Sequence, residues 1–298
     1  MSRVSGAIFA GLVALAQTKT TSAIGAEVQG LSSLPEVEFS QISQRDESPL
    51  GAIALAIHPQ DWKHGETEHF IYHYQKSYVA TPVSVEAEFY FRVIAQELMK
   101  EHVPWPEKAH IYIFEQPADW ASFQSNGELE PWTGGIQSAG SLFVVRNPAY
   151  KFSDNTLGHE IVHLVLFRFY GAEIPLWLNE GFAQFASKDA HAGYQRARGY
   201  AAKPRSHAIG VGELVPLTTL TIMGYPAAER VETFYDESER FVRFLIFKDR
   251  PEFLALLDAL ARGQPFEAAF SHTFGPHFGG IQSCEAEFKK YAGAEGAD

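Results

Sequence analysis

Between Thr156 and Tyr170 the chain reads "TLGHEIVHLVLFRFY", fifteen residues that are apolar on nearly every side. A helix of this kind is enclosed by protein, not laid on a surface. It nevertheless carries His159, Glu160 and His163. Polar side chains buried without partners cost kilocalories each, so whatever encloses this helix must also satisfy these three. Residues four apart share a helix face, so the imidazoles of His159 and His163 reach one point. The H-E-x-x-H spacing suits a metal ion held by the two histidines, with Glu160 beside the ion as a general base and not as a ligand.

A catalytic zinc takes three protein ligands and keeps one open position. A pattern with a third histidine needs Gly at 166 and His at 169, where this chain has Leu166 and Phe169. The next carboxylates are Glu173 and Glu180. Glu173 falls on the turn after the histidine helix, too close to fold back easily. Glu180, in "LWLNEGFAQF", falls on the next helix, which starts at Pro175. Glu180 is the expected third ligand, and one Zn2+ per chain the expected cofactor. Asn179 and Gln184 flank it, either as hydrogen-bonding support for the site or as ordinary surface residues.

The rest of the chain sorts into two halves. "EHFIYHY" (68–74), "AHIYIFE" (109–115) and "SLFVVRN" (141–147) alternate or run apolar as strands do, with a helix expected over Val83–His102 and a short one after Pro117. "GGIQSAG" reads as a Gly-rich turn or sheet edge. From Asp154, the expected N-cap of the histidine helix, the sequence is mostly helical. Gly171 is placed to end that helix. "VETFYDESERFVRFLIFKD" and "PEFLALLDALARG" follow as helices, with two short ones after them. The expectation is an α+β fold, a small mixed sheet with helices and then a helical C-terminal lobe. His58, His64, His69 and His73 invite a second metal site, but without a carboxylate partner they are expected on a solvated strand face. Trp105, Trp120 and Trp132 are expected in the core or a cleft wall.

Charge and cysteine content narrow the partners. Lys plus Arg total 24 against 36 for Asp plus Glu, a net charge of −12. With no basic run the chain lacks the phosphate contacts that nucleic acid needs. Its single cysteine, Cys284, forms no internal disulfide and reads as a small buried hydrophobe. At the N-terminus, Arg3, the apolar stretch Val4–Ala16 and Ala14-Leu15-Ala16 have the form of a secretory signal, too short to span a bilayer. The expected organisation is a signal peptide over 1–16, a polar linker or arm over 17–50 and a catalytic domain over 51–298. The expected location is secreted or periplasmic, with no membrane span in the mature chain.

His159, Glu160 and His163, followed by Leu176-Trp177-Leu178-Asn179-Glu180-Gly181-Phe182-Ala183, resemble the gluzincin metallopeptidases, the second string closely resembling the aminopeptidase N-like family. In arrangement the chain is more similar to the smaller peptidase MA-like domains, over roughly residues 60–250. The resemblance implies a zincin-like, two-lobed domain with zinc between the lobes and a peptide or protein as substrate. It also implies an oxyanion donor downstream. Tyr235 in "ETFYDESERF" matches the family's Tyr-x-x-Ser stretch with Ser238, and Tyr225 is the alternative donor. Tyr235 as a packing aromatic is the plain alternative. The Gly-x-Met-Glu-Asn signature, whose acid holds a substrate amino terminus, is missing. "GGIQSAGS" stands in its place without an acid, so aminopeptidase action is not expected. A zinc-binding scaffold without turnover, or a hydrolase of a non-peptide amide or ester, is the competing reading.

Overall fold

The computed structural model describes residues 33–105, 107–130, 133–146, 155–171, 174–201 and 210–295. Its first half is built on six strands: β1 (Glu36–Val37), β2 (Lys63–Glu66), β3 (Phe70–Tyr74), β4 (Ala109–Phe114), β5 (Gly135–Ser138) and β6 (Ser141–Val145). They form one sheet in the order β1-β2-β3-β4-β6-β5. The three central strands are parallel, with Tyr72 opposite Ile111 and Ile111 opposite Leu142. The outer strands β1, β2 and β5 run antiparallel to their neighbours. Parallel strands need crossovers and are covered on both faces, which is why these three read as nearly continuous apolar runs.

Strand alternation divides the side chains between two cores. Phe70, Tyr72, Ile111, Ile113, Leu142 and Val144 face the main core, against α2 (Ser77–Glu97) and the helical half. Tyr112, Phe114, Phe143 and Val145 face a smaller aromatic core with Trp62, Trp120 and Phe123. α1 (Pro49–Ala56) and α3 (Pro117–Asn126) cover that face. α2 begins earlier and ends earlier than its apolar spacing suggests. It contains Pro82, whose ring removes one backbone donor without ending the helix.

The second half is helical: α4 (Thr156–Tyr170), α5 (Leu176–Ala197), α6 (Leu217–Leu220), α7 (Val231–Lys248), α8 (Arg250–Ala261), α9 (Phe266–Thr273), α10 (Gly275–Phe278) and α11 (Ile281–Glu295). The fold is therefore α+β, as expected. The main core runs without a break from the sheet through Leu164 and Val165 of α4 to Trp177, Phe241 and Phe288. Gly171 ends α4 at φ 75°, a left-handed conformation that suits glycine, and its N–H donates to the Phe167 carbonyl. Asp154 lies outside the described residues. Among them no helix is long and apolar enough to cross a membrane.

Two expectations need correction. Residues 33–50 are not a loose arm: Leu34 is buried, β1 joins the sheet, and Asp46 accepts hydrogen bonds from Tyr112 (3.0 Å) and Ser141 (2.8 Å). Polar residues attach this segment through hydrogen bonds, which leave no apolar period to read. After α8 the described residues hold three helices where two were expected, the last of them fifteen residues long.

Candidate metal centre

α4 and α5 pack together and bring three donors to one point. His159 Nε2 and His163 Nε2 approach to 3.0 Å. Glu180 Oε2 lies 3.3 Å from the first and 3.4 Å from the second. Ligands about 2.0–2.1 Å from a four-coordinate ion stand about 3.3–3.4 Å apart; the two separations from Glu180 match that spacing, and the 3.0 Å between the imidazoles is somewhat shorter. Among the described residues the buried Glu180 Oε2 makes no hydrogen bond of good geometry and has only the two imidazole nitrogens near it. A buried carboxylate oxygen normally has a partner, and a cation at this point would supply it. The three residues present therefore fit the metal.

The surroundings tune these ligands. His163 Nδ1 donates to the Asn179 Oδ1 at 2.9 Å, which turns Nε2 toward the site. Asn179 thus supports the centre and is no mere surface residue. Burial alone would raise the Glu180 carboxyl, but the imidazoles of His159 and His163 outweigh it and hold it well below the ordinary value. Burial pulls His163 down, yet Glu180 dominates and raises it to about 9. Glu160 is pushed up by burial, with His159 and His163 opposing. A carboxyl raised toward neutrality suits a group that must accept and return a proton.

Two close approaches set this geometry. A side chain on Gly181, next to Glu180, would fall on the Ser238 carbonyl, so only glycine lets α5 lie against α7 here. A Cβ on Gly135 would stand 2.8 Å from Thr156 Cγ2 and 3.0 Å from Glu160 Cγ, so glycine here lets β5 lie directly beside α4 at Glu160.

The centre opens into a cleft of about 600 Å³. β5 lines one side with Gly135, Ile136 and Gln137; α5 lines another with Glu180, Gln184 and Lys188. Tyr235 lies at this cleft with its ring 6.4 Å from that of His159, and its hydroxyl is 2.7 Å from the Tyr225 hydroxyl. Burial, followed by the charge of Glu180, holds the Tyr235 phenol well above its ordinary value. Ser238 does not reach the cleft lining; it is fully buried in α7. Glu173 and Trp132 lie outside the described residues.

The remaining sequence candidates fall elsewhere. His64 and His73 are buried, not solvated, and continue to His110: His64 Nδ1 is 2.8 Å from His73 Nδ1, and His73 Nε2 is 2.9 Å from His110 Nδ1. They stand side by side on β2, β3 and β4, and β3 and β4 are buried throughout, which a two-face alternation of His and aromatic residues does not reveal. His69 lies 2.7 Å from Glu88, and with Glu68 the three could reach one cation, so carboxylate partners do exist for it. His58 is 3.3 Å from Asp119. Cys284 is buried, and burial pushes its thiol up to about 12. Trp120 is buried in the smaller core. Trp105 packs on the main core beneath Arg168. Lys188 went unnoticed in the sequence, although the spacing Glu180, Gln184, Lys188 marks one helix face. No protein-family model and no curated protein matches the chain.

Proposed function

We propose that the chain is a zinc-dependent metallopeptidase, similar to the gluzincins. The observation that carries this reading is the convergence of His159 Nε2, His163 Nε2 and the buried Glu180 Oε2, with Glu160 buried beside them at a cleft. Zinc held by these residues supplies a Lewis acid that polarises a carbonyl and makes water more acidic. Glu160 takes the proton from the attacking water and returns it to the leaving amine nitrogen. Tyr235 donates its hydroxyl to the oxygen that gains charge. β5 stands at the end of the sheet order and lines the cleft, where it offers backbone groups to an extended peptide. The secretory pattern of the N-terminal residues, which lie outside the described part, supports a secreted or periplasmic location.

Glu160→Gln tests the reading. The amide cannot accept a proton at neutral pH, so turnover of a casein or peptide mixture should fall by orders of magnitude while zinc content stays that of the parent. A variant that retains near-parental rates would remove Glu160 from its role as base.

A further inference from the structure

Glu180, Gln184 and Lys188 are spaced four apart along α5, and all three line the cleft. At 1.5 Å rise per residue, Lys188 stands about 12 Å along the helix from the metal ligand Glu180. Among the described residues lining the cleft it is the single lysine or arginine. Its side chain is 33% exposed, and its ammonium makes one hydrogen bond, 2.9 Å to Glu239 Oε2. An ammonium has three N–H donors, so two remain for a ligand. Glu239 is 1% exposed on α7, so a buried anchor fixes a side chain that is otherwise flexible. Asn155 and Thr156, at the start of α4, line the same cleft, and Asn155 Nδ2 donates to Ser187 Oγ beside Lys188 at 3.1 Å. The N-terminal end of this helix adds partial positive charge there.

We infer that this end of the cleft is a subsite for a substrate carboxylate, bound by Lys188. An extended peptide advances about 3.3 Å per residue, so the carboxylate belongs three to four residues from the cleaved bond. Either an Asp or Glu side chain or the C-terminal carboxylate of a short substrate supplies it. The inference rests on the peptidase reading for the position of the cleaved bond.

The test uses the zinc-loaded full-length chain and matched peptides. One pair places Glu or Gln three and four residues from the cleaved bond; another ends in a free or amidated C-terminus. Binding of the same peptides to Glu160→Gln by fluorescence anisotropy gives a readout independent of turnover. The carboxylate member of one pair should be favoured about tenfold or more, the worth of a charge-assisted hydrogen bond. Lys188→Met should level that preference, and Lys188→Arg should keep most of it. The pair that responds identifies the source of the carboxylate. Because Lys188→Met removes a cation from the buried Glu239 and can unfold the chain, the peptide comparison on the parent protein decides by itself. Cleavage without carboxylate preference overturns the subsite and leaves the peptidase reading standing. Preferential, Lys188-dependent binding without any cleavage supports the subsite and overturns the peptidase reading. Neither cleavage nor preferential binding overturns the subsite.

Discussion

The Tyr225 and Tyr235 hydroxyls are 2.7 Å apart, so one donates to the other and only the second keeps its proton for a substrate. Tyr235 lies nearer the imidazoles and is the less exposed of the two. Tyr235→Phe should lower kcat by about 10²–10³, with zinc content and Tm unchanged, because only a hydroxyl is lost. Tyr225→Phe removes a hydrogen-bond partner and should cost about fivefold, the worth of roughly 1 kcal/mol. If Tyr225→Phe is the far slower enzyme, the donor sits on the loop before α7. At this scale the chain is legible where chemistry demands a spacing. His159, Glu160 and His163 were readable because polar residues inside an apolar helix need a reason, and Glu180 because a third ligand was needed and it is a carboxylate on the next helix. Lys188 was not, because a lysine on an amphipathic helix has the ordinary look of a solvated face.

At the scale of elements, α5 is held against α7 by the absence of a side chain at Gly181. In Gly181→Ala the added methyl meets backbone, which cannot rotate away, so the helices must separate. Overpacking of this kind costs about 1–3 kcal/mol and should lower Tm by about 3–10 °C. Because Glu180 is the adjacent residue, zinc affinity should fall as well. An alanine variant with parental Tm and zinc affinity would contradict the close approach. The strands that show alternation or apolar runs, β3, β4 and β6, could be read from sequence. β2 could not: Lys63-His64-Gly65-Glu66 has no apolar face, and it is a strand because β1 and β3 pair with it on both sides.

Across the whole molecule, the line His64, His73, His110 buries three imidazoles on the aromatic side of the sheet. Burial lowers all three below their ordinary value, with the other two imidazoles adding to the effect on His73. On His110, Asp46 and Glu66 oppose burial and Arg168 reinforces it. On His64, Glu36 and Glu38 oppose it. The unfolded chain takes up these protons near pH 6.5 while the folded chain resists them. Their contribution is therefore complete above about pH 6.5 and is lost as the pH falls below it. With a chelator present throughout, Tm should drop more steeply between pH 7 and 5 in the parent than in His73→Phe. Equal slopes would show that the line does not titrate on unfolding.

α4 and α5 bring together the residues of the proposed metal centre, and zinc per chain is the most direct measurement of it. Elemental analysis of the purified protein should find one zinc in the parent and in Glu160→Gln, and well below one in Glu180→Ala, because two imidazoles alone hold zinc poorly. A parent that binds no zinc, or a Glu180→Ala variant that retains it in full, would contradict the account.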